Sequence, residues 1–261
     1  MIPMTNTIIC GGCVDIMNDW SNDCIDLTVT SPPYDDLRDY TGYSFDFEAI
    51  ANELFRVTKD GGVVVWVVGD ATINGSETGT SFKQALYFKE IGFNLHDTMI
   101  YQKNGFAHPS SNRYHSVFEY MFVLSKGKPK TFNPIKDKPN RYAGQTNWGK
   151  NTARQKDGTL KESRKKIIPE YGMRYNVWKY NTGKGFSAKS NIAYGHPAIF
   201  PEQLAKDHII SWSNPGDIVL DPLAGSGTTC VEAMKLNRQF IGIDISLDYC
   251  KIAMKRLGEI I

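Results

Sequence analysis

The sequence has little cysteine and no long apolar run, and each shortage excludes a class of protein. Its five cysteines are an odd number scattered along the chain, and no apolar signal segment stands at its start. Both features favour a reducing cytoplasm over a secreted, disulfide-bonded protein. The longest aliphatic and aromatic run, Val63 to Val68, is far shorter than the roughly 20 residues that cross a bilayer.

Residues at metal-ligand spacing are also scarce. Cys10 and Cys13 form a single Cys-x-x-Cys pair, and no second pair or histidine cluster stands at the spacing of a zinc site. We therefore predict no metal site. The pair is interpreted as core packing rather than as metal or redox chemistry.

Charge is distributed unevenly, although the net charge is only +2. Residues 126–190 contain 17 lysines and arginines against four acidic residues, which leaves 13 basic and 24 acidic residues for the rest of the chain. This basic stretch lacks periodicity and is interspersed with aromatic rings, whereas disordered segments are poor in them. The composition indicates a nucleic-acid recognition region, and a solvated basic insertion is the alternative.

Strand-like and helix-like patterns alternate along the rest of the chain, which is typical of an α/β fold. At 41% hydrophobic residues, the chain can bury one substantial core and carry one further module. The run at 63–68 is apolar on both faces, as a central parallel strand requires. The runs at 95–101 and 117–124 are expected to be antiparallel neighbours at the sheet edge.

A rigid corner follows the predicted strand at 25–29. Thr30-Ser31-Pro32-Pro33-Tyr34 cannot continue that strand, because each proline lacks an N–H and fixes φ. The corner therefore holds a hydroxyl and an aromatic ring at the carboxyl end of a strand, where open α/β sheets bind ligands. An ordinary strand-terminating turn is the alternative for this motif alone.

A glycine-rich motif lies far from this corner in the sequence. Asp221-Pro222-Leu223-Ala224-Gly225-Ser226-Gly227 joins a predicted strand to a predicted helix, and the next strand ends at Asp244, 17 residues beyond Gly227. An acid at about this offset binds ribose hydroxyls in nucleotide-binding folds. The third glycine of the dinucleotide fingerprint is missing, which disfavours a pyrophosphate cofactor and hence a nicotinamide oxidoreductase. A smaller ribose-bearing cofactor such as S-adenosylmethionine fits better, and a tight turn without a ligand is the alternative.

Together these motifs resemble those of the amino-methylating DNA methyltransferases. Their order along the chain is that of the family's permuted β group. Ser31 to Tyr34 comes first, the stretch from His196 to Pro201 follows, and the motifs at 221–229 and 242–244 come last. The resemblance implies a Rossmann-like S-adenosylmethionine-dependent methyltransferase sheet, mostly parallel with an antiparallel edge strand and circularly permuted. It implies a catalytic part at 1–124, a basic target-recognition region inserted at 125–191 and a cofactor-binding part at 192–261.

The resemblance also implies which residues form the site. Asp244 is expected to bind the ribose of the cofactor. Cys13, at the turn after the first strand, is expected to contact the cofactor as well. The family usually has an acid after the glycine of that turn, whereas this chain has Gly12 there, and Asp15 compensates only if the turn is shaped differently. The other implied cofactor residues are Asp221, Leu223, Ala224, Gly225, Gly227, Thr228 and Thr229, faced by His196 and Pro197. The implied catalytic residues are Ser31, Pro32, Pro33 and Tyr34.

The implied reaction transfers a methyl group to the exocyclic amino group of a base flipped out of double-stranded DNA. The Ser31 hydroxyl and the Pro32 carbonyl would accept the amino hydrogens, and Tyr34 would stack on the base. Serine before Pro-Pro-Tyr resembles the enzymes that modify the 4-amino group of cytosine, while adenine-modifying relatives mostly carry aspartate. Cytosine is therefore favoured, with the 6-amino group of adenine as the alternative.

Two other interpretations stay open at this point. One is a non-catalytic nucleic-acid-binding protein with a methyltransferase-like fold, which the intact corner and the intact Asp244 disfavour. The other is RNA as the substrate. The sequence also leaves open whether a cognate restriction endonuclease exists and whether the protein forms a homodimer.

Overall fold

The most apolar run of the chain lies in the middle of its central sheet. The computed structural model describes residues 1–33, 45–106, 111–146, 152–162 and 166–260. In it, this run belongs to the strand Thr58–Val68. Its side chains from Val63 to Val68 are all buried. Burial on both faces is what a central parallel strand requires, so the pattern predicted this strand correctly.

Within the described residues, eight strands form the sheet of the larger of two compact units, Met1–Asn133 with Asn176–Ile261. The strands are β1 (Thr7–Cys10), β2 (Ile25–Thr30), β3 (Thr58–Val68), β4 (Asn94–Lys103), β5 (Phe118–Ser125), β6 (Val177–Tyr180), β7 (Ile218–Asp221) and β8 (Gln239–Asp244). Their order across the sheet is β1-β8-β7-β2-β3-β5-β4-β6. Of these eight, all run parallel except β5. The predicted mostly parallel α/β sheet is confirmed.

The antiparallel strand lies elsewhere than predicted. β4 and β5 are antiparallel neighbours, as expected, but β5 lies inside the sheet between β3 and β4 and does not form its edge. The edge is β6, which pairs in parallel with the end of β4. The sequence analysis missed β6 because it is only four residues long and lies in the basic stretch, where no apolar periodicity marks it.

The helices of the larger unit cover the sheet. Those in the described residues are α1 (Cys13–Asn18), α2 (Phe47–Val57), α3 (Thr80–Glu90), α4 (Glu202–Trp212), α5 (Thr228–Lys235), α6 (Leu247–Gly258) and a short 3-10 helix at Asn191–Gly195. Helix α2 begins where the Asp46 carboxylate accepts the Ala49 N–H, and it buries Ile50 and Leu54. No helix among the described residues combines the length and the apolar character needed to cross a membrane.

The second compact unit is Pro134–Tyr175, which is shorter than the recognition region predicted at 125–191. Residues on both sides of it belong to the larger unit, including β6. Two antiparallel ribbons lie in this second unit: Lys138–Pro139 pairs with Tyr171–Gly172, and Thr152–Arg154 pairs with Leu160–Glu162.

Candidate active site

Five neighbouring parallel strands end at one edge of the sheet. They are β1, β8, β7, β2 and β3, and their carboxyl ends lie together because all five run in the same direction. The chain passes from β2 to β3 on one side and from β7 to β8 on the other, so the order reverses between β7 and β2. Open α/β sheets bind ligands at such a point. Both sequence motifs leave their strands here.

Two buried hydrogen bonds join the two motifs across this point. The Thr30 hydroxyl at the end of β2 donates to Asp221 Oδ1 at the end of β7 over 2.8 Å. The Thr229 hydroxyl donates to the Val29 carbonyl oxygen over 3.0 Å. The corner after β2 is therefore fixed beside the glycine-rich motif, although 191 residues separate Thr30 from Asp221.

The predicted catalytic corner is described as far as Pro33. Ser31 and Pro33 are partly exposed, while Pro32 is buried. β2 ends at Thr30, since the two prolines have no N–H to offer a neighbouring strand. Tyr34 lies outside the described residues, and its place at the site stays a prediction.

The glycine-rich turn is packed so closely that a side chain would not fit. Gly225 and Gly227 have φ angles of +51° and +76°, which are strained for other residues. A Cβ at Gly225 would lie 2.9 Å from His196 Nε2, and a Cβ at Gly227 would lie 2.7 Å from Ala253 Cβ. The structure thus brings the predicted His196 against the turn.

Asp244, at the end of β8, is oriented by backbone donors. Its Oδ2 accepts the Gly225 N–H over 2.8 Å, and its Oδ1 accepts the Ser246 N–H over 2.9 Å. Partial burial raises the pKa of this carboxyl. Each oxygen retains a second lone pair, so the carboxylate presents two fixed acceptors to neighbouring hydroxyl groups such as those of a ribose.

Asp221 has a buried oxygen that accepts no hydrogen bond from any described residue. This is Oδ2, whereas Oδ1 accepts both the Thr30 hydroxyl and the Leu223 N–H. Burial raises the pKa of Asp221 to about 6. A buried acceptor without a donor is costly, so a cationic group of a ligand at Oδ2 would be bound strongly.

His196 lies between the glycine-rich turn and helix α6. Its ring meets the ring of Tyr249 edge to face, with 4.3 Å between the centroids. The Ala198 N–H donates to His196 Nδ1 over 3.1 Å, and this hydrogen bond fixes the ring. The neighbouring Pro197 is exposed. Tyr249 was missed in the sequence analysis, because an aromatic residue in the first turn of a helix carries no signal of its own.

The turn after β1 is the last part of the edge. The Gly11 N–H donates to the Asp244 carbonyl oxygen over 2.9 Å, which joins this turn to the end of β8. Burial raises the pKa of the Cys13 thiol to about 11, so this thiol stays protonated at neutral pH. An Asp15 carboxylate oxygen lies 3.0 Å from the point that a Cβ of Gly12 would occupy. The Asp15 side chain therefore lies against the turn at Gly12, and its role in place of the family's acid stays a prediction.

Sequence comparison decides the family. The sequence model described as DNA methylase (N6_N4_Mtase) matches residues 25–255. Over 92% of its length, the chain is 58% identical to the orphan methyltransferase M.BamHII of Bacillus amyloliquefaciens, of which it covers 91%. The chain belongs to the DNA methylase family.

Two solved structures share the fold of this DNA methylase. The PvuII DNA methyltransferase, described as cytosine-N4-specific, superposes with a TM-score of 0.70 at 19% identity, covering 95% of this chain and 85% of that one. The M1.HpyAVI complex with S-adenosylmethionine gives a TM-score of 0.64 at 21% identity, covering 96% and 98%. These two likenesses show the fold alone, while the family match makes this chain an S-adenosylmethionine-dependent methyltransferase that acts on DNA.

The residues at the methylase's strand edge fit this cofactor. The buried Oδ2 of Asp221, which accepts no hydrogen bond from a described residue, suits the ammonium of an amino acid, and the two fixed oxygens of Asp244 suit a ribose. Gly225 and Gly227 allow the turn its positive φ angles and its close packing on His196 and Ala253 between these two acids. The described residues contain no group of three or more His, Cys, Asp or Glu side chains that could hold a metal ion. S-adenosylmethionine, when bound, supplies an activated methyl group on its sulfonium sulfur.

The methylase also has a buried arginine that the sequence analysis missed. Arg256 in α6 is 2% exposed, and its Nη1 donates to the Ser226 carbonyl oxygen over 2.6 Å and to Thr228 Oγ1 over 3.1 Å. Its Nη2 donates to Glu202 Oε1 over 2.8 Å. Thr228, whose place at the cofactor stays a prediction, is thus held by Arg256. In the sequence, Arg256 is only a basic residue in the last turn of a helix.

Replacing Arg256 by methionine is expected to lower the free energy of unfolding by up to about 3–5 kcal/mol, because the largely buried Glu202 would lose its nearer cation and keep only Lys235, at 4.0 Å. Urea unfolding followed by circular dichroism measures this loss. Lys251→Met is the matched control on the same helix, since Lys251 pairs with Asp248 at the surface, and it should cost less than about 1 kcal/mol. Equal losses for the two variants would contradict the structural role of Arg256.

Proposed function

We propose that this methylase transfers a methyl group to the exocyclic 4-amino group of cytosine in duplex DNA. The observation that supports this proposal is the position of Ser31. It comes directly after Thr30, whose hydroxyl donates a hydrogen bond to Asp221 of the glycine-rich motif. The corner thus presents a neutral hydroxyl. The adenine-modifying enzymes that the motif resembles mostly carry a carboxylate there, and the 6-amino group of adenine is the alternative acceptor.

The corner would act by holding the amino group in a reactive geometry. The lone pair of an exocyclic amino group is delocalised into the base, so the nitrogen is a weak nucleophile. The Ser31 hydroxyl and the Pro32 carbonyl would accept its two hydrogens and direct the lone pair at the methyl group. The base must first leave the duplex, and Tyr34 would stack on it there. The rate gain would come from positioning without a covalent enzyme intermediate.

The cofactor would lie along the strand edge between β7 and β8. Asp221 Oδ2 would bind the ammonium of the methionine part, and Asp244 would bind the ribose hydroxyls. Gly225 and Gly227 would let the backbone approach the ligand. The remaining contacts are assigned to Leu223, Ala224, Thr228, Thr229, His196, Pro197 and Cys13.

The affinity for S-adenosylmethionine is expected to rise with pH through about 6, because the Asp221 carboxyl has its pKa raised to about 6 by burial. Below that pH, the protonated carboxyl cannot pair with the ammonium. Above it, the carboxylate can, and the affinity should level off near neutral pH. Calorimetric titrations from pH 5 to 8 measure this dependence. Asp221→Asn should bind more weakly at pH 8 and lose the rise, and a rise that persists in the variant would exclude Asp221 as its source.

The smaller unit would recognise the DNA. Residues 134–175 contain 11 lysines and arginines against four acidic residues, so a polyanion is the complementary partner. In this assignment the regions around 1–124 and 192–261 supply the catalytic corner and the cofactor site. The 125–191 region supplies target recognition, with Pro134–Tyr175 as its separately folded part.

The test is to incubate the protein with unmethylated genomic DNA and S-adenosylmethionine carrying an isotopically labelled methyl group. The DNA is then digested to nucleosides and analysed by mass spectrometry. Labelled 4-methylamino-cytosine is the expected product. Labelled 6-methylamino-adenine would keep the reaction but overturn the interpretation of Ser31.

A further inference from the structure

The ribbon formed by Thr152–Arg154 and Leu160–Glu162 has no buried face. Arg154 pairs with Leu160 and Ala153 pairs with Lys161, and every residue from 152 to 161 is exposed. Most strands in proteins bury at least one face against a core. This ribbon contributes nothing to a core, so its exposed side chains are free to contact a partner.

The tip of the ribbon is nevertheless well fixed. The Gln155 N–H donates to the Thr159 carbonyl oxygen over 2.7 Å, and the Gly158 N–H donates to the Gln155 carbonyl oxygen over 3.0 Å. Gly158 has a φ of +84°, which suits the left-handed position of a short hairpin loop. Asp157 Oδ1 accepts both the hydroxyl and the N–H of Thr159, and these hydrogen bonds lower its pKa. A preformed tip avoids much of the ordering cost of binding.

The two faces of the ribbon carry different chemistry. Side chains alternate along a strand, so Arg154 and Leu160 share one face while Ala153 and Lys161 share the other. Leu160 is 62% exposed. A guanidinium fork matches the O6 and N7 acceptors of guanine, and an apolar side chain matches the methyl group of thymine. Lys161 offers only a point charge, which suits a phosphate.

The size and charge of the ribbon fit one groove of DNA. A two-stranded ribbon fits the major groove, which is about 12 Å wide, without the widening that the minor groove of about 6 Å would need. Arg154, Lys156 and Lys161 outnumber Asp157 and Glu162, so the hairpin has a net charge of +1 within a unit of net charge +7. The major groove is also where all four base pairs are distinguishable.

We propose that the hairpin at 152–162 enters the major groove of duplex DNA and that its Arg154–Leu160 face reads the target sequence. This inference rests on the proposed function, because it takes duplex DNA as the substrate. It makes Arg154 and Leu160 determinants of sequence specificity. It makes Lys161, on the opposite face, a contact to the phosphate backbone.

The test maps methylated positions in a random duplex library by sequencing that detects modified bases, for the wild type, Arg154→Ala and Lys161→Ala. The two variants change exposed residues of the same ribbon, and their melting temperature and S-adenosylmethionine affinity should equal those of the wild type. Arg154→Ala should lower kcat/KM at the preferred site roughly 10- to 100-fold and relax the preference at one or two positions. Lys161→Ala should keep the preference and weaken binding to all duplexes alike. It should also reduce the slope of log affinity against log salt concentration by about 1, the value for one lost phosphate contact.

The outcomes separate this inference from the function on which it rests. If the wild type methylates a preferred duplex sequence and Arg154→Ala keeps both that preference and its rate, the hairpin does not read bases. If Lys161→Ala changes the preference while Arg154→Ala does not, the assignment of the two faces is wrong. A wild type that methylates no duplex overturns the proposed function itself, whatever the variants do.

Discussion

Asp244→Ala is expected to weaken S-adenosylmethionine binding by at least 100-fold. The carboxylate presents two acceptors that the Gly225 and Ser246 N–H groups hold in place. Hydrogen bonds to charged groups contribute about 1.5–3 kcal/mol each, and two of them to a ribose account for a loss of this size. The substitution also frees the Gly225 N–H and loosens the turn. Isothermal titration calorimetry at pH 8 measures the dissociation constant.

Asp248→Ala is the matched control for this prediction. Asp248 is an exposed acid on α6, four residues farther along, and it pairs with Lys251 at the surface. It should leave the affinity within about twofold of the wild type. If Asp244→Ala bound the cofactor as tightly as Asp248→Ala does, the ribose would have to lie elsewhere.

Ser31→Ala is expected to reduce methyl transfer about 100-fold while leaving the cofactor affinity unchanged. The hydroxyl would be one of two acceptors that orient the amino group, and losing one preorganised hydrogen bond in an active site typically costs 10²- to 10³-fold. Because the Thr30–Asp221 hydrogen bond does not involve this side chain, the cofactor site stays intact. Single-turnover transfer to duplex DNA, with calorimetry of cofactor binding, separates the two effects.

Ser21→Ala controls for the loss of a serine hydroxyl. Ser21 is exposed and precedes β2, at the end of that strand opposite to the corner, so its removal should change neither quantity. Wild-type turnover in Ser31→Ala would remove the hydroxyl from the mechanism. A parallel loss of cofactor affinity would instead make Ser31 part of the cofactor site.

The sequence predicted the sheet and the meeting of the two motifs because both depend on local patterns. The run at 63–68 has no polar residue to place at a surface, and prolines and glycines mark the strand ends at Ser31 and Gly225. Once these strands are parallel, their carboxyl ends must lie at one edge. The assignment of His196 to the same site came from family resemblance, and the structure places its ring beside Gly225.

The remaining features depend on long-range packing that no local pattern encodes. Arg256 is buried where Glu202, 54 residues away, and the Ser226 carbonyl oxygen accept hydrogen bonds from its two Nη groups. Thr30 has the pattern of an ordinary strand residue, and its hydrogen bond to Asp221 depends on β2 and β7 lying side by side. Edge strand β6 gains its place from pairing with β4 rather than from its own sequence. The hairpin at 152–162 could be predicted from Asp157-Gly158, but its full exposure could not.

A crystal structure of the wild-type protein with S-adenosylmethionine tests the central claim most directly. The account predicts ribose hydroxyls within hydrogen-bond distance of Asp244 and the cofactor ammonium within hydrogen-bond distance of Asp221 Oδ2. It also predicts that the sulfonium methyl group faces the corner at Ser31 to Pro33. A cofactor bound away from the carboxyl ends of β7 and β8, or bound there with Asp221 Oδ2 still without a donor, would contradict it.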